Sequence, residues 1–131
     1  MKAKILVVDE EPSVLVVVSR ALRDEGHEVI AVSNGQTAYD VAVDQVVDVV
    51  ITNNGMPGFG GAELVSALRT RFPSLPILHL DEHSLATDSP FPVPAEVLTL
   101  FKPFDLVSLQ AAVRRLLTPG GPSHQELAAV N

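Results

Sequence analysis

An α/β fold with a parallel sheet covered on both faces is predicted from three observations. Five short apolar segments, Ile5 to Val8, Glu28 to Val32, Val49 to Thr52, Ile77 to Leu80 and Val97 to Phe101, read as strands. Most are continuous rather than alternating, the pattern of strands buried on both faces. Helix-like apolar periodicities lie between them, and strict alternation of strand and helix is the mark of parallel crossover connections. With 131 residues the chain has the size of one domain and one core.

Each element has its own justification. From Pro12, a residue suited to the first turn of a helix, Val14, Leu15, Val17, Val18, Ala21 and Leu22 are expected on one face, with Arg20 and Asp24 pointing away and Gly26 as the stop. A shorter helix follows Gly35. A third spans Gly61 to Phe72, with Leu64, Val65, Leu68 and Phe72 inward and Pro73 beyond its end. The last starts at Asp105, an N-cap, uses Leu106, Leu109, Val113, Leu116 and Leu117, and stops at Thr118 and Pro119. Between the fourth and fifth strands the chain reads "DEHSLATDSPFPVPAE", where Pro90, Pro92 and Pro94 make a full helix untenable; at most one turn near His83 to Thr87 is expected, then extended chain. The domain is therefore placed at 1–118, with 119–131 a flexible tail or linker remnant.

Composition narrows the function. The chain has no cysteine, which removes disulfides and thiolate chemistry, and its net charge of −7 argues against a phosphate-backbone footprint for nucleic acid. No apolar run is long enough to cross a bilayer and no signal-peptide pattern opens the chain, so a cytoplasmic location is the default expectation. His79 and His83 are four apart, but one falls in a strand and the other in a loop, so packing or surface roles are expected in preference to a shared metal.

In a doubly wound α/β fold, ligand chemistry gathers at the carboxyl ends of the strands. Here those ends carry Asp9, Glu10 and Glu11 after the first strand, Asn53 after the third, Asp81 after the fourth, and Lys102 with Pro103 after the fifth. Taken singly, acids entering a helix complement its dipole and an Asn forms turns. Together, "ILVVDEEP", "AVSNGQTAYDVA", "DVVITNNGMPGFGG" and "LTLFKPF", in that order over Lys2 to Leu117, give a sequence that resembles the receiver domain of two-component response regulators. The resemblance implies a flavodoxin-like sheet with strand order 2-1-3-4-5, an order the doubly wound class is known for, here with the helix between strands 4 and 5 degraded. It also implies transfer of a phosphoryl group from a phosphohistidine to an aspartate, with a divalent cation on the acidic pair and a Ser or Thr hydroxyl and a Lys ammonium on the phosphoryl oxygens.

Asp9 and Glu10 match the acidic pair and Lys102 the lysine, but the acceptor position, three residues before Met56, is Asn53. An amide has the shape of a carboxylate without its charge, and its nitrogen lone pair is tied up in resonance, so no stable acyl phosphate is expected there. The Ser or Thr position, five residues after Pro76, is Asp81, an acceptor that repels a phosphoryl group. The aromatic switch position, three before Lys102, is Thr99. The resemblance further implies a cis Lys102–Pro103 bond.

The expectation is an atypical receiver that lacks the phospho-acceptor aspartate, has no catalytic residues, and binds a protein partner or a second copy through surfaces such as Asp105 to Leu117 and Ser89 to Pro94. Asp81 is expected to pair with Lys102. Asp9 and Glu10, with Glu11 beside them, leave room for a weak Mg²⁺ or Ca²⁺ site, though no cofactor is required. Two rivals are a receiver phosphorylated on a displaced acceptor, Asp81 or Asp9, and a flavodoxin-like small-molecule binder; the absence of a Gly-rich loop after the first strand counts against the latter.

Overall fold

The computed structural model describes residues 2–53, 61–81, 98–101 and 105–118. Its elements run β1 (Lys4–Val8), α1 (Pro12–Asp24), β2 (Glu28–Val32), α2 (Gly35–Asp44), β3 (Val49–Asn53), α3 (Gly61–Arg71), β4 (Ile77–Asp81), β5 (Leu98–Phe101) and α4 (Leu106–Leu117). The five strands form one parallel sheet in the order β2-β1-β3-β4-β5, as the resemblance implies. The segment expected to hold a degraded helix, the Ser89 to Pro94 loop, the Lys102–Pro103 bond and the tail all lie outside the described residues.

Two apolar cores sandwich the sheet. Side chains alternate along each strand, so Ile5 and Val7 of β1 face α1 and α4 while Leu6 and Val8 face α2 and α3. The first core adds Leu22, Ile51, Leu80 and Leu109; the second adds Ala38, Val50, Leu64 and Leu68. Burial of both faces is why these strands read as unbroken apolar runs. Removing their side chains from water is the main stabilising term for the fold.

The helix boundaries follow from capping chemistry. Asn34 Oδ1 accepts from the Thr37 N–H at 2.8 Å to start α2, and Asp105 Oδ1 accepts from the Ser108 N–H at 2.7 Å to start α4. The hydrogen bonds from Ser108 hold the Asp105 carboxyl below its ordinary pKa. Glu11 precedes α1 without a side-chain cap, and Pro12 opens the helix.

One helix face differs from expectation. Val17 is 50% exposed, and Ser19 takes the inward place in α1 instead. At about 100° per residue, Val17 and Ser19 flank the face formed by Val14, Leu15, Val18, Ala21 and Leu22 on opposite sides at similar angles, and it is the Ser19 side that is covered. Leu106, in the first turn of α4, is also largely exposed.

On the edge strand β2, the Arg23 guanidinium donates to the Val29 carbonyl at 3.3 Å, covering one of the groups an edge leaves open. The turn into β2 depends on Gly26, whose φ is +92° and whose absent Cβ would meet no atom within 4 Å. The constraint there is backbone conformation alone. Gly26→Ala is expected to lower unfolding stability by about 1–2 kcal/mol in urea titration, without change in the folded spectrum.

Candidate functional site at the carboxyl ends of the strands

Strand register assembles the site. Val8 of β1 pairs with Thr52 of β3, and Asn53 pairs with Leu80 of β4. Asp9, the residue after Val8, therefore ends β1 beside Asn53 at the end of β3, on strands about 4.8 Å apart. Asp81 closes β4 one rung above the Asn53 level, opposite Phe101 of β5. The register thus sets the backbone positions of Asp9, Asn53 and Asp81 at the same end of the sheet, on three consecutive strands.

Burial separates their roles. Asp9 is fully buried; its N–H donates to the Val32 carbonyl at 3.2 Å, and its Oδ1 accepts from the Glu11 N–H at 2.9 Å. The bond to Glu11 folds the acidic loop back on itself and fixes the carboxylate at the entrance to α1. Glu10 and Glu11 are exposed. Asn53 is 1% exposed, and its Oδ1 has no hydrogen-bond partner among the described residues.

Thr99 lies inside β5, paired with His79 of β4, which in turn pairs with Thr52 of β3. Three polar residues on adjoining strands thus form one row immediately below Asn53. His79 is completely buried in it. Sequence reasoning gave His79 only a generic packing or surface role; the signal available was that Thr52, His79 and Thr99 each interrupt an apolar run one or two residues from its carboxyl end. Lys102, its pairing with Asp81 and the loop 54–60 lie outside the described residues.

The donors at hand for a cation are the buried Asp9 carboxylate, the exposed Glu10 and the neutral Asn53 oxygen. Among the described residues no three acidic or histidine side chains are grouped as metal ligands. A cavity of about 650 Å³ lies at the other end of the sheet, lined by the α2–β3 and α3–β4 connections, including Val46, Asp48, Phe72 and Pro76. It shares no residue with the strand-end cluster.

Comparison with known proteins settles the family. The response regulator receiver domain profile matches residues 5–114. The chain belongs to the response regulator receiver domain family. The transcriptional regulatory protein TcrA of Mycobacterium tuberculosis is 33% identical over 120 residues, covering 89% of this chain and 47% of its own length. The response regulator FleR of Pseudomonas aeruginosa is 36% identical over 78 residues, 60% of this chain and 16% of its own. This receiver chain therefore spans about half of one relative and a sixth of the other. The chemotaxis response regulator CheY4 of Vibrio cholerae superposes with a TM-score of 0.78 at 30% identity, covering 89% of this chain and all of that one. TrrA of Thermotoga maritima, solved in complex with Mg²⁺ and a beryllium fluoride group, superposes with a TM-score of 0.75 at 28% identity over 89% of this chain. No helix among the described residues is long and apolar enough to cross a membrane.

The geometry at Asn53 yields a stability prediction. Asn53→Asp sets a second carboxylate beside Asp9 in a buried setting, where two unit charges about 5 Å apart interact by roughly 3 kcal/mol at an effective dielectric near 20. The variant should unfold at lower urea concentration than the parent at pH 7.5 in chelator. The deficit should shrink toward pH 5 as the repelling pair takes up a proton, since repulsion raises the proton affinity of the pair. Equal stability across that range would show that the two positions are not electrostatically coupled.

Proposed function

We propose that this receiver domain is not phosphorylated at the usual position and acts as a phosphorylation-independent interaction module of a two-component pathway. The observation that carries the reading is Asn53: a buried amide closes β3 at the place where the family keeps its attacking carboxylate. Phosphoryl transfer needs an oxygen anion to attack phosphorus in line while the bond to the donor nitrogen breaks and its electron pair returns to the imidazole. The amide oxygen of Asn53 carries no such charge, and its nitrogen is no nucleophile.

The neighbouring positions support the same reading. Asp81 ends β4 where a hydroxyl would otherwise bind a phosphoryl oxygen, and a carboxylate there opposes an anion of the same sign. Thr99, paired with the buried His79, is too small to sweep the volume an aromatic switch residue sweeps. A displaced acceptor finds little support at Asp9, whose carboxylate is fully buried and bonded to the Glu11 N–H. Asp9 and Glu10 supply hard oxygen donors suited to weak Mg²⁺, but no step of this function runs through a cation.

Contact with a partner then has to come from a surface that is the same at all times. The start of α4 offers one: Leu106 is 41% exposed and Val107 69%. Adjoining exposed aliphatic side chains on a helix fit a protein partner or a second copy of the chain.

Incubation with Mg²⁺ and acetyl phosphate, followed by intact mass measurement, should leave the parent mass unchanged. The double variant Asn53→Asp, Asp81→Thr should gain one phosphoryl group. Labelling of the parent chain would overturn the reading, and mapping the label to Asp81 or Asp9 would establish the displaced-acceptor alternative in its place.

A further inference from the structure

The cavity of about 650 Å³ at the amino end of the sheet takes no part in the chemistry argued for Asn53, and it has the size of a small-molecule site. Its walls are the α2–β3 and α3–β4 connections, and both are tied down. On the first, the Gln45 N–H donates to the Val41 carbonyl at 2.9 Å. Lys4 reaches the same connection twice: its ammonium donates to Gln45 Oε1 at 3.1 Å and its N–H to Asp48 Oδ2 at 2.7 Å. On the second, the Arg69 guanidinium donates to the Pro73 carbonyl at 2.8 Å and the Leu75 N–H to the Phe72 carbonyl at 3.1 Å. A ligand entering here meets a site that is already shaped, which lowers the ordering cost of binding.

The lining is apolar with a few charges. Val47, Phe72 and Leu75 contribute to it, and Val43 and Val46, 41% and 83% exposed, leave aliphatic surface open to water. Its charged residues are Asp44, Asp48 and Arg71. Asp48 is engaged by the Lys4 N–H. Asp44 ends α2, whose last turn holds no basic side chain to match the negative end of the helix. Arg71 ends α3, with its guanidinium carbon 5.8 Å from the centre of the Phe72 ring. Among the described residues neither Asp44 nor Arg71 is joined to an opposite charge. An anion and a cation, from the ends of two helices, thus border one apolar cavity, each without a counter-charge.

We propose that the cavity binds a short apolar peptide as a zwitterion, its ammonium toward Asp44, its carboxylate toward Arg71 and its side chains on Val47, Phe72 and Leu75. Charge decides the class. A plain cation would leave Arg71 unmatched, a plain anion would leave Asp44 unmatched, and an uncharged ligand would leave both. Volume decides the length: about 650 Å³ lies mid-range for sites that enclose drug-sized ligands, so a dipeptide fills it better than a single amino acid. Arg71 suits the carboxylate because a guanidinium donates two parallel N–H bonds to it. The site shares no residue with the strand-end cluster, so it goes beyond the reading of Asn53 and is tested apart from it.

Titration of the whole isotope-labelled chain with L-leucyl-L-phenylalanine, up to about 10 mM and followed by NMR amide shifts, tests the site. The Val43, Val46, Asp48 and Ser74 amides should move together and saturate, while Leu106 on α4 stays in place. Blocking either end, as the N-acetyl dipeptide or as the dipeptide amide, should weaken binding about three- to tenfold. Variants assign the ends: Asp44→Asn should bind the free and acetylated peptides alike, and Arg71→Gln the free and amidated peptides alike. Both residues are exposed, so the variants keep the parent fold. Absence of a saturable shift at the cavity amides, equal binding of free and blocked peptides by the parent, or unchanged discrimination in the variants would overturn the proposal. So would free L-phenylalanine binding as tightly as the dipeptide.

Discussion

The parallel pairing of β1 with β3 over four rungs, from Ile5 with Val49 to Val8 with Thr52, sets what this domain can do. Both strands are buried on both faces, so a slip by one residue would turn Leu6 and Val8 out of one core and Ile5 and Val7 out of the other. The register is therefore held by apolar burial on both sides of the sheet. Its consequence at the strand ends is that Asp9 and Asn53 are neighbours. The chemistry of the site follows from which side chains occupy those two positions, and here one is an anion and the other an amide.

That pairing explains why the family architecture holds with an amide at position 53. The cores are built from residues below the strand ends and take nothing from a phosphoryl group. An amide beside Asp9 removes the repulsion that two buried carboxylates would bring. On the proposed reading a hydroxyl at the end of β4 and an aromatic in β5 would have no phosphoryl event to answer, and Asp81 and Thr99 stand in those places. Each change taken alone is a small substitution. On the proposed reading they together remove the acceptor, the hydroxyl and the aromatic that phosphorylation would use.

Most of the fold was legible in the sequence because its signals are local: apolar runs of four or five residues, Asp105 as a cap, Gly26 as a stop. Val17 was placed inward because it is apolar, yet it is 50% exposed, while Ser19 on the other flank of the same face is buried. The strand order and the meeting of Asp9 with Asn53 came from motif resemblance, since periodicity carries no information about which strands are neighbours. His79 and its row with Thr52 and Thr99 escaped notice, because three single polar residues in separate strands become a feature only when the register aligns them. The contact between His27 and Ala3, twenty-four residues apart, was hidden for the same reason.

The central claim is that residue 53 offers no oxygen anion to phosphorus. Fluorine NMR of the protein with Mg²⁺, beryllium and fluoride tests it most directly, because a beryllofluoride group becomes fixed only where a carboxylate oxygen completes its coordination. The account predicts resonances of free fluoroberyllates alone, with no change in the Asn53 amide signal. A protein-bound resonance accompanied by a shift of that amide would contradict it.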